Sequence, residues 1–100
     1  MRILLACAGG ISTGKLVEAI KYAANDMAIS LDIKACSVCD IGEHIRDYDI
    51  VLLGPQVRYQ IDKIREMSEG IPVEVIDKMD YGLQEGRNIL KSALRTIGNT

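Results

Sequence analysis

Hydrophobic residues along this chain switch repeatedly between a strand-like and a helix-like period. That alternation is the strongest constraint on its fold. Arg2 to Cys7 is a short, nearly continuous apolar run, as in a central parallel strand buried on both faces. From Lys15 the period becomes helical. Leu16, Val17, Ile20, Ala23, Ala24 and Met27 fall on one face, and Glu18, Lys21, Asn25 and Asp26 on the other. Leu31, Ile33 and Ala35 alternate with Asp32 and Lys34, the pattern of a half-exposed strand at a sheet edge. Asp40 with Glu43 three residues later marks a helix start, and Ile41, Ile45 and Tyr48 cover one or two turns. Asp49 to Leu53 is a second buried-type strand, ended by Gly54-Pro55-Gln56. Val57, Ile61, Ile64 and Met67 give a third helix face, which Gly70-Ile71-Pro72 breaks. Val73 to Ile76 reads as a fourth strand. A last helix carries Ile89, Leu90, Ala93, Leu94 and Ile97, capped near Asp80.

Strands alternating with helices predict an α/β fold. With right-handed crossovers it is an open, doubly wound, four-stranded parallel sheet with helices on both faces. The 100 residues fit one domain, 1–100. The chain is 48% hydrophobic but has no Trp and no Phe, so the core must be aliphatic. A net charge of −2 argues against nucleic acid as a partner. No stretch approaches the roughly 18 unbroken apolar residues of a membrane span. The run from Met1 to Ala8 is too short for a secretion signal. Three cysteines (Cys7, Cys36 and Cys39) without such a signal suggest free thiols in a reducing cytoplasm.

In open parallel sheets, ligands bind beyond the carboxyl ends of the strands, near the switch in strand order. Cys7 ends the first strand. Ala8, Gly9, Gly10, Ile11, Ser12 and Thr13 follow, and a helix begins around Thr13. Glycines let successive backbone N–H groups turn inward and form an anion-binding nest. The helix N-terminus adds unpaired N–H groups and the positive end of its dipole. Ser12 and Thr13 bring hydroxyl donors. The same field favours a thiolate. A nucleophilic sulfur inside a cradle for a tetrahedral anion suits covalent phosphoryl transfer through a phosphocysteine. A buried thiol at a strand end is the plainer alternative for a lone cysteine, but here the glycines and hydroxyls favour chemistry.

The loop resembles the Cys-x5-Arg loop of low-molecular-weight tyrosine phosphatases and arsenate reductases, and that resemblance implies their fold. The position of the Arg is held by Thr13, and the loop contains no Arg. A phosphatase uses that Arg to stabilise the transition state and an Asp to protonate the leaving group. Gly54-Pro55-Gln56 offers no such acid, and the next one, Asp62, lies well inside a helical pattern. The departures point to a site that accepts and passes on a phosphoryl group.

Three segments carry a closer resemblance: Cys7-Ala8-Gly9-Gly10-Ile11-Ser12-Thr13; Val51-Leu52-Leu53-Gly54-Pro55-Gln56 with Tyr59; and Pro72-Val73-Glu74-Val75-Ile76-Asp77 followed by Tyr81-Gly82. Together, over nearly the whole chain, they are similar to the IIB domain of the bacterial phosphoenolpyruvate-dependent sugar phosphotransferase system, lactose/cellobiose (chitobiose) type. The resemblance implies that phosphohistidine of a IIA protein phosphorylates Cys7. It implies that IIB then docks on the cytoplasmic side of the IIC membrane permease, where the bound sugar takes the phosphoryl group. By position, residues Ala8 to Thr13 would hold the phosphate. Gly54, Pro55, Gln56 and Tyr59 would form the neighbouring wall. No metal or cofactor is implied. Successive exchange between two partners predicts modest affinities and a monomer in isolation.

Other features compete weakly. Cys36-Ser37-Val38-Cys39 has the spacing of a thiol-redox motif, but Asp40 at the helix start would oppose a thiolate. Cys36, Cys39 and His44 are too few ligands for a closed zinc site. His44 stands in a polar stretch and reads as a solvated surface residue. Asp49 lacks the acidic partners after the first strand that a magnesium-dependent phospho-aspartate needs. The loop could also serve a module that binds phosphate without covalent chemistry.

Overall fold

The structure is a computed structural model that describes residues 1–8 and 13–98, with Thr13 described by its backbone alone. Among these residues the order is β1 (Arg2–Cys7), α1 (Thr13–Asp26), β2 (Asp32–Ser37), α2 (Ile41–His44), β3 (Ile50–Leu53), α3 (Ile61–Met67), β4 (Val73–Val75), α4 (Lys78–Gly82) and α5 (Gly86–Gly98). Tight 3-10 turns, Val38–Asp40 and Ile45–Asp47, flank α2, and a third, Pro55–Gln60, leads into α3.

All the strand pairings are parallel and the strand order is β2-β1-β3-β4. The switch in order therefore falls between β1 and β3. Every residue of β3 is buried, as are Ile3 to Cys7 of β1, which explains why both read as continuous apolar runs. β2 is the edge strand that its alternation predicts. It runs two residues further than that alternation, to Ser37, because it pairs with β1 along its whole length, from Arg2↔Asp32 to Cys7↔Ser37.

The pleat divides the core. Ile3, Leu5, Ile50 and Leu52 point to one face and pack with Leu16, Ile20, Ile89, Leu90 and Ala93 of α1 and α5. Leu4, Ala6, Val51 and Leu53 point to the other and pack with Val38, Ile41, Ile45, Val57 and Ile64. The helical faces predicted for α1 and α5 are thus the buried ones.

The carboxyl-terminal segment departs from expectation. It forms two helices, and the cap is Asp77 rather than Asp80. The Asp77 carboxylate accepts from the Met79 and Asp80 N–H groups at 3.0 and 3.1 Å. Between the helices Gln84 sits at φ 54, left-handed backbone that no continuous helix contains. Gly86 then opens α5 against α1. A Cβ there would lie 2.3 Å from the carbonyl oxygen of Ala19, so only glycine permits this approach.

Candidate functional site

Two central strands end side by side at the switch point. The Gly54 N–H donates to the Ala6 carbonyl at 2.9 Å, which extends the β1–β3 ladder one step past β3. By the alternation that sends Ile3 and Leu5 toward α1 and α5, Cys7 belongs to the same face. Its thiol is 3% exposed, and none of the three cysteines is in a disulfide.

Gly54 brings the predicted residues together. A Cβ on it would meet Oε1 of Gln56 at 2.7 Å, Cβ of Cys7 at 3.4 Å and Cε2 of Tyr81 at 3.6 Å. Gln56 and Tyr81 thus stand at the Cys7 end of the sheet. Both also line an open cleft of about 540 Å³ with Pro55, Arg58, Lys78 and Gly82. Its walls are the Pro55–Gln60 turn on one side and α4 on the other. Tyr59 does not line it. That ring is 77% exposed, and its hydroxyl accepts from Gln60 Nε2 at 3.2 Å.

Ala8 is exposed beyond β1, and α1 starts at Thr13. The phosphate-cradle positions Gly9, Gly10, Ile11 and Ser12, and the Thr13 side chain, lie outside the described residues.

The sequence reading missed Arg58, Lys78 and Tyr81 as parts of the site. The signal was available: Lys78 and Tyr81 directly follow the strand beside β3, whose carboxyl end also faces the switch point. Merging α4 into the last helix concealed it.

The competing residues stand elsewhere. Asp49 is at the amino end of the sheet, where its carboxylate accepts the Arg2 backbone N–H at 2.8 Å. His44 ends α2 and is half-buried rather than fully solvated. Among the described residues, no group of three or more His, Cys, Asp or Glu is placed to hold a metal ion. Burial, reinforced by Asp40 and only partly offset by Lys34, pushes the Cys36 thiol from 9.0 up to about 11. No described helix is long and apolar enough to cross a membrane.

An open parallel sheet with a thiol at its switch point, joined by a glycine- and hydroxyl-rich connection to its first helix, defines a protein of the low-molecular-weight tyrosine-phosphatase-like class. Within that class the chain belongs to the family "PTS system, Lactose/Cellobiose specific IIB subunit", which matches residues 2–92. It is 37% identical over 98 residues to the cellobiose-specific EIIB component of Lactococcus lactis, covering 91% of each chain. It is 35% identical over 100 residues to the oligo-beta-mannoside-specific EIIB component of Bacillus subtilis, covering 98% of this chain and 97% of that one. The solution structure of a cellobiose-specific IIB component from Borrelia burgdorferi superposes with a TM-score of 0.82 at 36% identity, over 99% of this chain and 93% of that one. The lactose-specific IIB domain from Streptococcus pneumoniae shares the fold, with a TM-score of 0.85 at 24% identity over 96% of each chain. The chain is therefore a IIB component of a sugar phosphotransferase system.

Proposed function

We propose that Cys7 is the phosphoryl carrier of this component, within a IIB-type domain spanning residues 1–100. The supporting observation is the position of Cys7 at the carboxyl end of a central strand, beside Gly54 at the switch in strand order. The Cys7 thiolate attacks the phosphorus of a phosphohistidine on IIA. The S–P bond forms as the P–N bond breaks, and the departing histidine nitrogen keeps the electron pair and takes up a proton. In the second step a hydroxyl of the sugar held by IIC attacks phosphorus. The S–P bond breaks, the thiolate leaves and the hydroxyl proton passes to solvent. Residues Ala8 to Thr13 hold the phosphate through backbone N–H groups and the Ser12 and Thr13 hydroxyls. The protein works in the cytoplasm and meets the inner face of the membrane only through IIC.

Phosphohistidine and phosphocysteine are both reactive phosphoryl donors, so a carrier must hold the group without stabilising it too far. A loop with dipoles and hydroxyls but no Arg meets that need. Burial of Cys7 also limits water at the sulfur, which favours transfer over hydrolysis.

The test is phosphorylation by the general phosphotransferase proteins plus a IIA protein. Label is expected on Cys7 and absent in Cys7→Ser. A Cys7→Ser protein labelled to the wild-type level disproves the mechanism. A thiol-redox function at Cys36 and Cys39 has little support, because a thiol held near 11 is a poor nucleophile at neutral pH. A module that binds phosphate without covalent chemistry would take no label at all.

A further inference from the structure

Ser37 stands beside Cys7, and the mechanism above gives it no part. β2 runs on past its alternating stretch until Ser37 becomes the register partner of Cys7, the last residue of β1. Neighbouring strands lie about 5 Å apart, and side chains alternate between the two faces along each of them. The earlier pairs show that partners share a face. Ile3 and its partner Ile33 both belong to the core under α1 and α5, while Ala6 and its partner Cys36 both pack on the other side. One step further along, Ser37 shares the face of Cys7.

The turn after β2 fixes this hydroxyl and leaves its proton to give. The Cys39 N–H donates to the Ser37 oxygen at 3.3 Å. A serine hydroxyl has one donor and two acceptor positions, so this bond occupies an acceptor and not the donor. Among the described residues nothing accepts the Ser37 proton. The side chain is half-buried, so a group at the strand end can reach it. The end of β2 is also within the electrostatic reach of the Cys7 sulfur. Burial first, then Asp40 and the charge on Cys7, raise the adjoining Cys36 thiol, with Lys34 opposing.

We infer that Ser37 is a further phosphate-holding residue, whose hydroxyl donates to a non-bridging oxygen of the phosphoryl group on Cys7. The inference rests on the proposed role of Cys7. Ser37 approaches from the β2 side of β1, whereas Gln56 and Tyr81 stand beside Gly54 on the β3 side. The hydroxyl keeps its proton throughout, so it acts as a donor and not as an acid. A neutral donor also suits a carrier. It orients the phosphoryl oxygens without adding the full positive charge that would hold the group too firmly.

The test compares wild type with Ser37→Ala, Ser37→Val and Ser37→Thr. Val and Thr share a branched shape that suits a strand and differ in the hydroxyl. Each chain is brought to equilibrium with the phosphorylated IIA protein of a lactose/cellobiose-type system, and label is counted on both proteins. In the Ala and Val variants the equilibrium should move back toward IIA about tenfold, the effect of losing one hydrogen bond to a charged group. The phosphorus-31 titration midpoint of the phosphocysteine should rise, because the dianion loses a donor. Thr should restore both readouts. A Ser37 that serves only the turn would lower the melting temperature of Ala and Val and leave equilibrium and midpoint at wild-type values. That result overturns the inference while Cys7 still takes label. A Cys7→Ser protein labelled to the wild-type level overturns the role of Cys7 and this inference with it. One measurement needs no variant at Ser37. In the phosphorylated wild-type chain, a proton–phosphorus correlation to the Ser37 hydroxyl supports the bond, and correlations confined to backbone N–H groups overturn it.

Discussion

Gly54 and Cys7 meet at the ends of the two central strands: a Cβ on Gly54 would stand 3.4 Å from the Cβ of Cys7. The tighter contact of that same Cβ is with Oε1 of Gln56, at 2.7 Å. This is the far end of a flexible side chain, so Gly54→Ala should fold, with a stability loss of about 1 kcal/mol or less. The Gln56 amide must swing away from its place beside Gly54. Phosphoryl acceptance should fall several-fold while the melting temperature changes little. Unaltered acceptance would separate Gln56 from the chemistry.

The opposite outcome is expected at Gly86. Its added Cβ would meet backbone, at 2.3 Å from Ala19 O and 2.5 Å from Ala19 C, and backbone cannot rotate out of the way. Gly86→Ala should cost about 1–3 kcal/mol by overpacking, with α5 forced off α1. Gly14, near the start of α1, has nothing within 4 Å of a Cβ. Gly14→Ala should stabilise by about 0.5–1 kcal/mol through helix propensity. Urea denaturation of the two variants gives both signs in one experiment.

Glu74 ties α5 to the last strand. It accepts from the Ser92 hydroxyl and, at 2.6 Å, from the Thr96 hydroxyl. Hydrogen bonds to a carboxylate are among the stronger ones. In a double-mutant cycle, Glu74→Gln and Thr96→Val should couple by about 1 kcal/mol in unfolding free energy. A coupling near zero would show that the pair contributes nothing net.

Alkaline stability should carry the mark of Cys36. The fold raises this thiol from 9.0 to about 11, first by burial and then by Asp40. Folding therefore favours the protonated form. The associated stability is fully present below about pH 9 and is lost as pH climbs through 11. Cys36→Ala should flatten the fall in stability over that window. Tyr48, raised by burial, loses its own contribution above its ordinary 10.0 in both proteins. At pH 8, iodoacetamide should modify the exposed Cys39 well before Cys36.

Thr13→Arg creates the Cys-x5-Arg spacing of the phosphatase loop that this one resembles. If the absence of that Arg is why transfer wins over hydrolysis, phosphorylated Cys7 in the variant should hydrolyse about tenfold faster or more. A phosphocysteine just as long-lived and just as readily passed on would remove the missing Arg from the explanation.

The parts of this molecule legible in its sequence are those where one physical requirement dominates. β1 and β3 are buried on both faces, so they had to be continuous apolar runs. α1 and α5 each bury one face, so they had to be periodic. That Cys7, Gly54 and Gln56 stand together beyond β1 and β3 was legible because both apolar runs stop there. The α4 segment was not. None of its residues is fully buried and only Tyr81 packs against the core, so periodicity gave it no signature, and its start is set by one carboxylate, Asp77, that two backbone N–H groups share. Arg58 and Lys78 were hidden for a related reason. They are far apart in sequence and come together only when the Pro55–Gln60 turn and α4 wall one cleft.

The close seating of Gly86 against Ala19 reaches beyond packing. α1 is the element into which the Cys7 connection runs, and α5 fixes it along its length, through Gly86 at Ala19 and through the Arg87–Asp26 pair at its last residue. A rigid rod held at its middle and far end has little freedom left at its near end. The carboxyl-terminal helix thus holds in place the helix into which the Cys7 connection leads. On the proposed role of Cys7, changes along α5 become a means of tuning the site from outside it, through the seating of α1.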